Sequence, residues 1–271
     1  IRLSLVGSEM CIRDSDGLAV VGPIARTVED AALLLDALVG LAPFSYATAA
    51  PGRGPFVGAA RRAAPGLRIG VTTVSPWDDD ENIVLDPAAR AAFETATAWL
   101  SDAGHAVADA DWHPVGYPAL FRVLWRASAA RIPLSDDDMT AVEPLTAWLV
   151  REGRSLSAPD LLGGLTEARA FERRTVADFA AFDAVLTPAL AQSPRPVGWY
   201  AGHDPERTFA MQVEYAPYSS FVNVAGLPAL TLPVATDADG RPVSVQLIGR
   251  PGGEAVLLSL GAALEDRRGP L

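Results

Sequence analysis

The chain has 271 residues, 49% hydrophobic and 20% charged, with a formal net charge of −11 and a mean hydropathy of +0.19. This is a globular composition with room for one large domain or two small ones, and its acidity argues against general electrostatic binding to nucleic acid. All 22 basic residues are arginine, so no lysine can act as Schiff-base former, general base or phosphate clamp, and no apolar run approaches the roughly 20 residues of a membrane span.

Residues Ile1 to Ser15 show neither helical nor alternating periodicity and depart in style from the Ala-, Arg- and Pro-rich sequence that follows. The stretch LSLVGSEMCIRD resembles translated sequencing-adapter read-through, so residues 1–15 are read as a non-native leader and set aside from fold reasoning. They carry the single cysteine, Cys11, which excludes an intrachain disulfide and fits a reducing, cytoplasmic compartment. As a nucleophile, Cys11 has no evident histidine partner to serve as its base.

Thr27 to Gly40 is the clearest helix. Thr27 and Asp30 have capping-box spacing, Val28, Ala31, Ala32, Leu35 and Leu38 fall on one face, and Gly40 supplies a stop. Ala42 to Ala64, rich in Ala, Pro and Gly without periodicity, is read as an exposed loop. An α/β unit follows: strand Leu67–Val74, a helix opened by Asp86-Pro87 and closed at Gly104, and a second strand His105–Ala108. Strand, helix and strand with short links predict a parallel crossover.

The middle of the chain predicts helices over Pro118–Arg131, Thr140–Glu152 and Pro159–Phe182. The last of these carries Leu161, Leu165, Ala168 and Phe171 at helical spacing, and Gly163-Gly164 inside it marks a bend or close packing. Ala184 to Thr187 reads as a short buried strand, and Gln192 to His203 as a loop. Ala229–Ala235 and Pro242–Ile248 flank an Asp239-Gly240 turn and predict a hairpin, followed by an amphipathic helix over Gly253–Glu265.

These patterns give a mixed α/β fold but no reaction. His105, His113 and His203 are scattered and read as surface or loop residues, with only Asp111 close to one of them. The runs Asp78-Asp79-Asp80-Glu81 and Asp136-Asp137-Asp138 lack the alternating ligands of a calcium loop and read as solvated turns, so no metal site is assigned. No glycine-rich phosphate loop follows a strand, and no cofactor is expected. Trp125, Trp148, Phe209 and Tyr215 fit an acyl pocket and ordinary core packing equally well.

Three segments in order carry more information. They are Gly22-Pro23-Ile24-Ala25-Arg26-Thr27-Val28 followed by Asp30, Ala31 and Leu34; then Phe182-Asp183-Ala184-Val185-Leu186-Thr187-Pro188; then Asn223-Val224-Ala225-Gly226-Leu227-Pro228-Ala229 followed by Pro233, Gly240, Pro242, Gln246, Gly249 and Glu254. Together, from about Asp16 to Glu265, they resemble the amidase signature family downstream of its Gly/Ser-rich signature. The resemblance implies a mixed sheet surrounded by helices, with residues 16–271 forming the C-terminal part of a single domain. It also implies hydrolysis of carboxamides to carboxylic acid and ammonia or amine, by a serine nucleophile, a second serine and a neutral lysine acting as base.

Here the sequence departs from the family pattern. The family's lysine and both serines precede the segment matched by Gly22-Pro23, and no lysine exists to replace theirs. No catalytic residue is therefore assigned, and the chain alone is expected to be inactive. Thr187, Asn223 and Gln246 are the candidate substrate-binding residues, beside the reading in which they brace loops and satisfy buried backbone groups. The expected partner of the intact parent is a small-molecule amide, with no nucleic acid and no membrane. Two other readings stay open: the amidase component of a tRNA-dependent amidotransferase, and a non-catalytic binding relative.

Overall fold

The computed structural model describes Leu18 and residues 20–40, 54–64 and 66–270. The leader assigned to residues 1–15, with Cys11, lies outside the described residues, as do residues 42–53 of the predicted loop. The rest of that loop is not all loop. Phe56–Ala60 forms a short helix that buries Phe56, Ala59 and Ala60. Its Phe56 and Val57 amides donate to the Asp36 carboxylate at 2.7 and 3.1 Å, a long-range cap that no local pattern announces.

In chain order the described elements are α1 (Val28–Gly40), α2 (Phe56–Ala60), β1 (Arg68–Val71), α3 (Pro87–Asp102), β2 (Ala106–Asp109), α4 (Tyr117–Ala130), a single 3₁₀ turn (Asp138–Thr140), α5 (Pro144–Arg154), α6 (Ala158–Phe179), β3 (Ala184–Pro188), α7 (Pro205–Tyr215), α8 (Ser220–Val224), β4 (Ala229–Thr236), β5 (Pro242–Gly249) and α9 (Glu254–Arg268). The sequence patterns located most of these within a few residues. They left α7 and α8 unassigned, because their apolar positions are dictated by a three-dimensional neighbour rather than by a clean stripe.

The strands form one open mixed sheet in the order β2-β1-β3-β5-β4. β1 pairs parallel with β2 and β3, as the strand–helix–strand pattern predicts for the first pair, and β5 pairs antiparallel with β3 and β4. The hairpin turn is held by Gly240, whose positive φ of 75° suits glycine, with its amide donating to the Asp237 carbonyl at 3.0 Å.

Alternation along the central strands divides the core in two. Ala184, Leu186, Val245 and Leu247 face an aliphatic layer completed by Ala92, Ala96 and Leu100 of α3 and Leu257, Leu260 and Leu264 of α9. Val185 and Ile248 face the other way, into an aromatic layer containing Trp77, Trp112, Tyr117, Phe121, Phe171, Phe179, Phe209 and Phe221. Helices thus cover both faces of the sheet, and each buried apolar side chain contributes about 1.5–3 kcal/mol.

Glycine sets the helix spacing on the aromatic side. A Cβ on Gly153 of α5 would sit 1.9 Å from the Arg126 carbonyl oxygen of α4, and one on Gly164 of α6 would sit 2.7 Å from Val123. Since α6 continues unbroken through Gly163-Gly164, close packing at Gly164 accounts for the pair and no helix break is present. The start of α6 carries a full capping box, Ser157 with Asp160.

No described helix is long and apolar enough to cross a membrane.

Candidate active-site face

In open α/β sheets, ligands bind beyond the carboxyl ends of parallel strands. Here those ends belong to β1, β2 and β3, and the chain beyond β1 and β3 is knitted together by buried polar groups. The Thr72 amide extends the parallel ladder onto the Leu186 carbonyl at 3.1 Å, and the Thr72 hydroxyl accepts from the Val74 amide at 3.1 Å. Ser75 is buried. Its hydroxyl donates to the Pro217 carbonyl at 3.3 Å and accepts from the Trp77 amide at 3.2 Å, while its amide donates to Asp78 Oδ2 at 2.9 Å. Tyr218, fully buried, donates its hydroxyl to the Thr73 carbonyl at 2.8 Å.

Thr187 and Gln246 are brought into direct contact. They are register partners on β3 and β5, and both are buried. Gln246 Nε2 donates to Thr187 Oγ1 at 3.1 Å and to the Tyr218 carbonyl at 2.9 Å, and the Thr187 hydroxyl donates onward to the Pro188 carbonyl at 3.0 Å. Strand alternation puts both side chains on the aromatic face. There Thr231, the β4 register partner of Gln246, continues the row to an exposed position. Two proposed site residues therefore tie β3, β5 and the Tyr218 loop into one unit.

Asn223 does something different. Its Nδ2 donates to the Leu18 carbonyl at 2.9 Å, anchoring the entering chain on α8. Its amide is thus engaged with that backbone, whereas Thr187 and Gln246 engage each other.

Around this unit the environment is dry. Burial raises the Tyr218 hydroxyl well above the usual tyrosine range, with the nearby Asp78 carboxylate adding to the shift. Burial likewise raises Tyr117, against which its hydrogen bond to Ser220 Oγ at 2.8 Å works in the opposite direction. Asp78 is itself shifted up by desolvation, opposed by the Ser75 amide. All three stay protonated to a higher pH than their free counterparts.

Other candidates resolve into structural roles. Asp80 and Glu81 hold Arg122, the latter at 3.0 Å, and the Arg122 guanidinium lies over the rings of Trp77 and Phe209. The expectation of a purely solvated acidic turn thus fails at this run, because an arginine from α4 reaches it. Asp138 accepts from the Ser135 amide at 2.9 Å and caps its own turn. His105 is buried and accepts from the Leu67 amide at 3.3 Å, and burial lowers its pKa, so it is a core histidine and not the surface or loop residue expected. His113 pairs with Asp111 at 2.9 Å, both exposed. Phe209 packs in the aromatic core, whereas Trp125 stacks on Phe121 at its edge. Among the described residues, no group of three or more His, Cys, Asp or Glu side chains is placed to hold a metal.

The sequence reading missed Thr72, Ser75, Tyr117, Tyr218 and Ser220. Nothing local distinguishes these from ordinary hydroxyls; what makes Thr72, Ser75, Tyr117 and Tyr218 notable is burial, and Ser220, half-buried, joins them as the partner of Tyr117.

Comparison with known proteins agrees with this fold. The amidase family model matches residues 2–258. The protein named "Putative amidase AmiB2" of Mycobacterium tuberculosis is 35% identical over 257 residues, covering 93% of this chain and 53% of that protein. A glutamyl-tRNA(Gln) amidotransferase component from Nitrobacter hamburgensis is 28% identical, covering 94% of this chain and 56% of that protein. Among solved structures, 6-aminohexanoate cyclic dimer hydrolase superposes with a TM-score of 0.74 at 26% identity, over 90% of this chain and 53% of that one. A bacterial aryl acylamidase of the amidase signature enzymes shares the fold at 18% identity, with a TM-score of 0.71 over 92% of this chain and 53% of that one. The chain belongs to the amidase signature family. It spans about half the length of the relatives it matches.

Proposed function

We propose that this chain is the C-terminal portion of an amidase that hydrolyses carboxamides to a carboxylic acid and ammonia or an amine, and that the serine nucleophile, bridging serine and lysine lie upstream of residue 16. The observation that carries this reading is the near-complete family match of a chain without a single lysine. A mechanism of the family type needs a lysine held neutral as base, and here only a preceding segment can supply one. Residues 16–271 then form one domain with that segment, and the protein works in the cytoplasm.

Within the parent, Thr187, Asn223 and Gln246 border the amide substrate. Gln246 and Thr187 do so as positioning residues, since their polar atoms already hold the Tyr218 carbonyl and the end of β3. The aromatic layer beneath them suits an apolar acyl group.

A second reading, the amidase component of a tRNA-dependent amidotransferase, has one observation in its favour, the 28% identity to a protein of that complex. The genomic sequence upstream of the codon for Asp16, followed by assay of the restored protein, tests both. An upstream frame encoding a lysine and a Gly/Ser-rich stretch, with turnover of simple amides by the restored protein alone, is the expected result. Turnover only when partner proteins are added favours the amidotransferase reading. The proposal is defeated by a start codon beside Asp16, or by full activity in the 271-residue chain.

A further inference from the structure

The turn after β2 and one face of α6 enclose a cavity of about 350 Å³ that no part of the proposed hydrolysis uses. β2 is the outer strand on the side of the sheet away from β4, and none of the residues lining the cavity belongs to the Thr187–Gln246–Tyr218 unit. Its floor is apolar, made by Trp112, Val115 and Phe171. The polar groups on its wall come largely from one stripe of α6. There Glu167, Phe171, Arg174, Thr175 and Asp178 follow one another at helical spacing and share a face.

Thr175 is the unusual member of this stripe. It is 1% exposed, and its hydroxyl has no hydrogen-bond partner among the described residues. A helical threonine commonly returns its hydroxyl to the carbonyl four residues back, as Thr97, Thr166 and Thr208 do at 2.8, 2.8 and 2.9 Å. Thr175 leaves the Phe171 carbonyl alone and lines the cavity. A nearly dry hydroxyl without an acceptor or donor costs free energy until a ligand supplies one. Arg174 is also uncommitted: its guanidinium touches only the Val115 carbonyl, at 3.5 Å, and pairs with no carboxylate among the described residues. α4 starts at the same cavity. Its N-cap, Gly116, has a φ of 77° and gives no side-chain cap, and a Cβ built there would meet nothing within 4 Å. The first amides of α4 therefore lie beside open space, where a helix favours negative charge. Two further groups are exposed and unpaired among the described residues, the carboxylates of Glu167 and Asp178, whereas His113 at the rim is engaged with Asp111.

Charge selects the ligand. A simple anion here would be drawn by Arg174 and α4 and repelled by two carboxylates, and a simple cation would meet the reverse. A zwitterion suits both sets. We propose that this cavity binds a small apolar α-amino acid. Its carboxylate takes the Thr175 hydroxyl, the Arg174 guanidinium and the first amides of α4, its ammonium sits on Asp178, and its side chain rests on Trp112, Val115 and Phe171. An α-amino acid carries its two charges close together, which matches the single helical turn between Thr175 and Asp178. Glu167, about two turns away in the other direction, is too far to share the same ammonium and adds only a longer-range attraction. Every residue of the site lies within this chain, so the inference goes beyond the amidase reading and does not rest on it.

The test is titration of the 271-residue chain, followed by calorimetry, with three probes of one shape. These are L-leucine, 4-methylpentanoate, which lacks the ammonium, and 3-methylbutylamine, which lacks the carboxylate. L-leucine should bind on the order of tenfold more tightly than either of the others. Thr175→Val keeps the shape and removes the hydroxyl, and should weaken L-leucine about tenfold, as should Arg174→Gln. Thr175→Ser keeps a hydroxyl and should bind within about threefold of the wild type. Asp178→Asn should bring L-leucine down to the level of 4-methylpentanoate. Absence of saturable L-leucine binding overturns the inference, and so does binding that Thr175→Val leaves unchanged, which would put the ligand elsewhere. Equal loss in Thr175→Val and Thr175→Ser points to packing and overturns the role given to the hydroxyl. Binding of 4-methylpentanoate or 3-methylbutylamine as tight as that of L-leucine defeats the zwitterion assignment. Turnover separates this claim from the amidase reading: a restored parent that hydrolyses no amide sinks that reading and leaves this site standing, and an active parent that takes up no L-leucine does the reverse.

Discussion

The two faces of the sheet are built on opposite principles. The fully buried residues of the face under α3 and α9 are all aliphatic, from Ile69 and Leu186 to Leu247 and Leu264, with Phe93 and Trp99 only at its margin. The face under α4, α6, α7 and α8 is aromatic and carries polar groups: Thr187, Gln246, Tyr117 and Tyr218 are all buried there or at its rim. A dry aliphatic layer needs only volume and pattern. Buried hydroxyls and amides persist only when each has a partner, because an unpaired one costs about 1–3 kcal/mol. The hydrogen bonds from Gln246 to Thr187 and Tyr218, and from Tyr117 to Ser220, meet that demand. The contrast teaches which face was shaped by packing alone and which also had to fix loop positions beyond the strand ends.

The largest expected effect lies on the aliphatic face. Leu247→Ala, at a fully buried central position, should destabilise the chain by about 2–5 kcal/mol in denaturant unfolding. A much smaller loss would show that this layer is loosely packed and would erase the contrast.

On the other face, Gln246→Leu keeps the bulk but strips the donor from Thr187 and the Tyr218 carbonyl, and should cost about 1–3 kcal/mol. Adding Thr187→Val should cost less than the sum of the two single changes, since the pair shares one bond. A stabilised Gln246→Leu variant would mean the polar row does not hold this face together.

Tyr117→Phe removes the hydroxyl bonded to Ser220 while keeping the ring against Trp77 and Phe171. The expected cost is about 1 kcal/mol. A negligible change would show that the ring, and not its hydroxyl, holds Tyr117 in the layer.

The smallest effect belongs to a site on neither face. Ser157→Ala breaks the capping box of α6 and should cost about 1 kcal/mol at neutral pH. The Ser157 hydroxyl and then its amide hold the Asp160 carboxyl below its ordinary range. A depressed folded-state pKa stabilises above the unfolded value and loses that contribution as pH falls through the folded one. The gap between wild type and variant in thermal melts should therefore be full above about pH 4 and narrow as the solution is acidified. A gap that widens in acid would contradict the assignment.

Much of the fold was legible locally because its signals are local. Thr27 and Asp30 announced α1, Asp86-Pro87 announced α3, and Asp239-Gly240 announced the hairpin, each through backbone chemistry acting within four residues. The helix Phe56–Ala60 was hidden because Asp36, twenty residues earlier, supplies its cap. α8 and the Tyr218 loop were hidden because their order comes from β1, β3 and β5 together.

The candidate site divides in the same way. Thr187 and Gln246 stood out through the family resemblance, yet nothing in their spacing says that they touch, since 59 residues separate them and only sheet register joins them.

By itself the sequence determined the family, the order of most elements and the lack of a lysine, because motif identity and composition belong to the chain. The tertiary structure alone decided which hydroxyls are dry and which side chains meet across the sheet. Those properties arise from distant segments excluding water from one another, and no local pattern encodes that exclusion.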